Sequence, residues 1–137
     1  MTVSEPAPHL AVKPSGINGQ GCFAALPLPA RRKIGELVGE KISHREAQRR
    51  VAKGGVVKIC EIDAKWSIDA SVGGNATAFI NHSCAPNCFS RVTRGHMLFF
   101  ALRDIAVGEE ITLDYTPSQH PGRPCTCGAP NCRGVMM

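Results

Sequence analysis

Eight residues near the C-terminus, Cys125-Thr126-Cys127-Gly128-Ala129-Pro130-Asn131-Cys132, set three thiols in a C-x-C-x4-C pattern. Thiolates this close can face one soft cation, and the glycine and proline among them suit a backbone that turns tightly round it. A closed tetrahedral zinc site takes four ligands, so a fourth must come from elsewhere. Cys84 and Cys88, in Asn81-His82-Ser83-Cys84-Ala85-Pro86-Asn87-Cys88, are the available suppliers. The same segment supplies an amide and an imidazole, and Gly108-Glu109-Glu110-Ile111-Thr112-Leu113-Asp114-Tyr115 ends on the only tyrosine of the chain. Asn81-His82-Ser83 also fits the N-glycosylation pattern, which is idle without a secretory signal. A single tyrosine is ordinarily a core residue with a tethered hydroxyl; here the combination of groups carries the information.

The elements that position these groups belong to one domain. The chain has 137 residues, 43% hydrophobic and 20% charged, enough for one packed core and too few for two ordinary domains. Aromatics are scarce, with five Phe, one Trp and one Tyr, against seven Cys. No apolar run approaches the roughly 18 residues that span a bilayer. The apolar stretch from Ala24 to Ala30 is broken by Pro27 and Pro29, so it is no signal peptide. The cysteines are therefore read as intracellular thiols or metal ligands, with no membrane association. The net charge is +5 and uneven. Residues 1–58 hold ten Lys/Arg and four acids, and residues 59–137 six Arg/Lys and seven acids. Basic proteins attract polyanions, but Arg45, Arg49, Arg50 and Lys53 read as one solvated helix face, so nucleic-acid binding is not the expected main function.

Residues 1–12 have no periodicity and are expected to form a flexible tail. Ser43-His44-Arg45-Glu46 has capping-box spacing, predicting one short helix that ends at Gly54-Gly55. Strands are predicted over 34–40, 56–62, 66–70, 97–102 and 111–115. Phe23-Ala24, Leu28 and Ile34 recur in the same spacing as Phe100-Ala101, Ile105 and Ile111, suiting two similar strand–turn–strand pieces. The class is mostly β with irregular connections.

Four motifs in order resemble the SET-domain family of protein lysine methyltransferases, over Lys13 to Gly134. They are Gly19-x-Gly21-x-Phe23; Gly74-Asn75 followed by Phe79-Ile80-Asn81-His82-Ser83-Cys84-x-Pro86-Asn87-Cys88; Gly108-Glu109-Glu110-Ile111-Thr112-x-Asp114-Tyr115; and the C-terminal cysteine group. Cys88 and Ser90-Arg91-Val92 make the trithorax/mixed-lineage-leukaemia type the most similar variant. The resemblance implies a SET (β-clip) fold of short curled sheets with a pseudoknot, spanning residues 13–116, and a post-SET zinc segment over 117–137. It implies that Asn81, His82, Ile17, Asn18 and Gln20 bind S-adenosylmethionine, that Thr126 closes over the adenine, and that Tyr115 is catalytic. It makes Cys84, Cys125, Cys127 and Cys132 the ligands of a structural zinc, leaving Cys88 free.

The implied reaction moves a methyl group from S-adenosylmethionine to a lysine amine of a protein or peptide, with a histone tail the favoured partner. The amine must be neutral although its free pKa is about 10.4. The sulfonium charge and removal from water both lower it, and in-line placement does the rest. Three departures matter: Lys58-Ile59-Cys60 stands where many members have another tyrosine, Ala78 stands for an arginine, and Leu113 lines the substrate channel where many have Tyr or Phe. Leucine cannot hydrogen-bond the amine, so di- or trimethylation is expected. A cationic tail meeting a +5 protein must rely on local acids, and Glu61, Asp63, Asp69, Glu109 and Glu110 are the candidates. The alternatives are a lysine methyltransferase of a nonhistone protein and an inactive SET-like zinc module that binds a peptide. The setting is nucleus or chromatin for a eukaryotic or host-delivered protein, and cytoplasm for a bacterial one.

Overall fold

The computed structural model describes residues 8–54, 58–115, 122 and 124–136. In chain order the elements are β1 (Leu10–Pro14), β2 (Gln20–Ala24), β3 (Lys33–Leu37), β4 (Glu40–Ser43), α1 (His44–Ala52), β5 (Ile59–Glu61), β6 (Trp66–Asp69), a 3-10 turn (Ala76–Phe79), β7 (Asn81–His82), β8 (Cys88–Thr93), β9 (His96–Ala101) and β10 (Thr112–Leu113). They form four small sheets: β1-β2, β3-β9-β8, β4-β6-β5, and the parallel pair β7-β10. None of the described helices is long and apolar enough to cross a membrane.

The mostly-β reading with one short α-helix holds, with boundary corrections. Leu10, Ala11 and Val12 belong to β1, paired antiparallel with β2, rather than to a flexible tail. The strand expected over 34–40 divides, because β3 pairs with β9 whereas the chain from Glu40 pairs with β6. Val56 and Val57, the start of another predicted strand, lie outside the described residues. Ser43 caps α1 by accepting from the Glu46 N–H at 3.1 Å. Glu46 does not complete the box; its carboxylate binds Arg49 and Arg50 instead. Arg50 also reaches Glu40 and the buried Asp69, both at 2.8 Å, tying α1 to the β4-β6-β5 sheet.

The core is aliphatic, as the scarcity of aromatics requires. Ile34, Ile80, Phe99, Ala101, Ile105 and Ile111 pack with Cys22 and Cys88, all buried. Ile42, Ala47 and Ile59 make a second, smaller cluster under α1. Truncating a buried isoleucine such as Ile111, fully shielded from solvent, costs about 2–5 kcal/mol in this setting.

The internal echo is a pseudo-two-fold. Leu28 and Ile105 exchange both main-chain hydrogen bonds, at 2.9 and 2.8 Å. Arg31 N–H donates to the Ala101 carbonyl while Gly108 N–H donates to that of Ala24. Ala101 N–H donates to Arg32 and Ala24 N–H to Glu109, and each member of a pair is displaced from the other by one constant spacing. The two strand–turn–strand pieces therefore clasp each other, and the second brings Glu109 to Tyr115 to the centre. Equivalent turn positions need the same left-handed backbone: Gly108 has φ +86° and Arg31 has φ +71°. Glycine adopts that conformation freely, and a side chain there costs roughly 1 kcal/mol. Arg31→Gly is expected to raise stability slightly and Gly108→Ala to lower it by about 1 kcal/mol or more; urea midpoints of the two variants check the opposite signs.

Candidate functional site

The parallel pair β7-β10 sets the Asn81-His82 segment alongside Thr112-Leu113, and Ser83 N–H extends it to the Leu113 carbonyl at 3.0 Å. Asn87 locks the crossing from below. Its amide donates to the Glu110 carbonyl at 2.7 Å, and its side-chain carbonyl accepts from Thr112 N–H at 2.8 Å. Two motifs that are about thirty residues apart thereby become one surface.

Tyr115 follows directly. Its N–H donates to His82 Nδ1 at 3.0 Å, and the two rings meet edge-on at 5.4 Å between centroids. Its hydroxyl donates to the Ile80 carbonyl. The residue is 40% exposed, but its hydroxyl end is desolvated, and burial pushes its pKa above the usual tyrosine value. Burial is the main cause, and the nearby Glu110 carboxylate adds a small rise. At neutral pH the hydroxyl is a neutral donor and acceptor, suited to orienting a nucleophile rather than removing its proton.

The loop between β1 and β2 closes over the same centre. Asn81 Nδ2 lies 3.1 Å from the carbonyls of both Asn18 and Gln20, and 2.9 Å from Glu110 Oε2. Thr126 Oγ1 donates to the Ile17 carbonyl at 2.8 Å, fastening the C-terminal segment to that loop. Ile17, Asn18, Gln20, Asn81, His82, Leu113, Tyr115 and Thr126 thus belong to one connected cluster.

Beside it lie four thiols. The Sγ atoms of Cys84, Cys125, Cys127 and Cys132 are all within 4.8 Å of one another, with Cys84 and Cys125 at 3.9 Å. Thiolates at about 2.3 Å from a tetrahedral zinc stand roughly 3.8 Å apart, so the set fits that ion and leaves no open position. The C-terminal segment is held by a bridge between Pro124 and Val135 and by Cys125 N–H to the Gly134 carbonyl at 2.9 Å. Arg133 N–H points at Cys84 Sγ at 3.4 Å, and this bond, with those from the Arg133 side chain and His82, lowers the thiol to about 7. Because His82 Nδ1 accepts from Tyr115, its proton sits on Nε2, 3.5 Å from Cys84 Sγ. The imidazole is thus engaged on both sides, orienting a metal-type ligand on one and the tyrosine backbone on the other.

The remaining cysteines are of another kind. Cys22 and Cys88 are buried, and burial raises both thiols to about 12; Cys60 is half-buried and raised to about 11. They remain protonated and serve as small core residues.

The acids proposed for substrate attraction are mostly committed elsewhere. Glu109 pairs with Arg103, Asp69 with Arg50, and Asp63 accepts from the N–H groups of Lys65 and Trp66. Glu110 is turned inward to Asn81 and Ser15. Glu61 keeps its carboxylate largely in solvent, 3.8 Å from His44. Ser15 was not among the sequence candidates; its place before the Gly19-x-Gly21 turn was the available signal.

Residues 19–116 match the SET domain family. Over 133 residues the chain is 41% identical to the protein named "Histone-lysine N-methyltransferase, H3 lysine-4 specific" of Schizosaccharomyces pombe, covering 90% of this chain and 14% of that one. It is 37% identical over 137 residues to "Histone-lysine N-methyltransferase trithorax" of Drosophila virilis, covering 93% of this chain and 4% of the relative. "Histone-lysine N-methyltransferase ATX2" of Arabidopsis thaliana is 40% identical over 139 residues, covering 93% and 13%. The chain spans only a small part of the length of these relatives.

Proposed function

Because this chain belongs to the SET-domain family, and within it to the trithorax-like group, we propose that it is a protein lysine methyltransferase that uses S-adenosylmethionine, with a histone tail as the favoured substrate. The observation that carries the reading is the convergence of the Asn18–Gln20 carbonyls, Asn81, His82 and Tyr115 on one small region, drawn from three separate stretches of chain. The names of the relatives, all histone-lysine N-methyltransferases, support the substrate class. Nucleus or chromatin is the corresponding location, with the cytoplasm if the source is bacterial.

In this reading residues 13–116 form the methyltransferase unit and 117–137 the zinc-holding segment. Asn81, the main chain of His82 and the loop at Ile17, Asn18 and Gln20 hold the methyl donor, and Thr126 covers it from the C-terminal side. The donor supplies an activated methyl group on a cationic sulfur. Tyr115 orients the lysine amine with its hydroxyl, and the half-buried Leu113 beside it offers an apolar wall. Desolvation near a positive charge favours the neutral amine, as a nucleophile requires. Zinc, held by Cys84, Cys125, Cys127 and Cys132, has no vacant position for substrate, so its role is to fix the segment that carries Thr126.

Incubation with labelled S-adenosylmethionine and mixed histones, beside ribosomal and nucleoid proteins, tests the function. Labelled histone supports the main reading, label confined to other proteins supports a nonhistone substrate, and no transfer to any supports a peptide-binding module. The identity of residue 113 adds a finer expectation. Leucine cannot hold a methylated amine or a blocking water by a hydrogen bond, so mass spectrometry should show di- or trimethyl-lysine. Leu113→Tyr should shift the product toward monomethyl-lysine; a wild type that stops at one methyl excludes the apolar-channel account.

A further inference from the structure

Glu110 ties together parts of the site that are distant in sequence: the Ser15 loop, Asn81 and its own segment. Ser15 Oγ lies 2.9 Å from its Oε1 and 2.8 Å from its Oε2. The same Ser15 oxygen accepts from Ile17 N–H at 2.9 Å. Asn81 Nδ2 donates to Oε2 from the other side. Gly21 lies flat against the carboxylate, and a Cβ there would stand 2.4 Å from Oε2. Any larger residue would displace an acid that hydrogen bonds already pin on two sides.

This arrangement sets the direction of the Asn81 amide. All three neighbours of Nδ2 are oxygens: the carbonyls of Asn18 and Gln20 and the Glu110 carboxylate. Only the NH2 end can face such a cage, so the Oδ1 end is turned to the opposite side of the planar amide. Removing the carboxylate would loosen both that orientation and, through Ser15, the turn at Ile17.

We propose that Glu110 is a positioning residue for the methyl donor, orienting Asn81 and the 15–20 loop through Ser15 while placing a negative charge that favours a cationic ligand over its neutral product. S-adenosylmethionine and S-adenosylhomocysteine differ by one methyl group and one positive charge at sulfur, so the pair separates the two effects. The inference rests on the cofactor reading of the preceding section.

The test measures calorimetric dissociation constants of both ligands for wild type, Glu110→Gln and Ser15→Ala in the full chain with zinc, alongside thermal midpoints. Glu110→Gln keeps size and one acceptor while removing charge; it should weaken S-adenosylmethionine about tenfold and S-adenosylhomocysteine about threefold or less. Ser15→Ala leaves the charge and should weaken both ligands to the same degree. At saturating methyl donor, the KM for a histone peptide should not move. Equal weakening of both ligands by Glu110→Gln overturns the proposal, as do affinities within twofold of wild type. A wild type that binds neither ligand overturns the cofactor reading itself, and this proposal with it. A wild type that binds both beside an indifferent Glu110→Gln overturns Glu110's role alone.

Discussion

Tyr115→Phe is expected to reduce methyl transfer by at least about 100-fold while leaving the fold and cofactor binding intact. The loss follows from position. The hydroxyl is the only phenolic group in the chain, so under the proposed mechanism no neighbouring tyrosine can take over the orientation of the amine. Phenylalanine preserves the edge-on contact with His82 and the N–H bond to its Nδ1, which depend on the ring and the backbone. Only the hydroxyl and its bond to the Ile80 carbonyl disappear. Losing one oriented polar group in a desolvated site commonly costs 10²–10³ in rate. The measurement is single-turnover transfer at saturating S-adenosylmethionine, with S-adenosylhomocysteine affinity as control. A variant within tenfold of wild type would remove Tyr115 from the mechanism. Cys60 and Leu113, near the same centre, offer no comparable hydroxyl.

Loss of the zinc proposed for the four-thiol site is the second large effect expected. The described residues beyond 121 have little apolar burial of their own, and most of them are half-exposed or exposed. The segment is held by short main-chain bonds, by Thr126 to Ile17, and by the four thiols. Without metal, gathering four thiols at mutual van der Waals distance gains little and costs chain entropy. Chelation or Cys132→Ser is therefore expected to release the segment, free Thr126 from the loop, and reduce activity by more than tenfold. The β-rich body should persist, because its core cluster contains none of the four ligands. Elemental analysis should give one zinc per chain, and limited proteolysis after chelation should cut beyond residue 121 before the body is attacked. A chelated protein that keeps full activity and a protected C-terminus would show that thiols alone suffice.

Much of the site was legible because its signals are local. Three thiols in eight residues, a Ser–x–x–Glu start to α1, and short alternating strands need only neighbouring residues to be recognised. The repeat of Phe-Ala, Leu or Ile, and Ile at constant spacing was also visible, and it corresponds to a clasp of paired main-chain bonds. Strands with no apolar alternation were not visible. Leu10–Pro14 becomes a strand only because Gln20–Ala24 folds back on it, giving its N–H and C=O groups partners. The charge account was the least accurate part. Composition counts acids, whereas Glu109, Asp69 and Glu110 are each committed to a partner in the fold.

By itself the sequence determined the chemical inventory: one phenol, three clustered C-terminal thiols, and an Asn-His-Ser-Cys segment inside a family match over residues 19–116. Spacing alone left Cys84 and Cys88 open as the fourth thiol and the family resemblance favoured Cys84; the tertiary structure brings that one into the cluster, for a physical reason. Cys88 opens β8 with its side chain in the core, 1% exposed, whereas Cys84 lies in the preceding turn with Sγ 3.9 Å from that of Cys125. It likewise decided that Glu110 faces Asn81 and Ser15, residues 29 and 95 positions away. Spacing along the chain constrains groups within a turn or two. Partners separated by tens of residues are chosen by strand register and by which side chains the core can bury, and those exist only once the sheets have assembled.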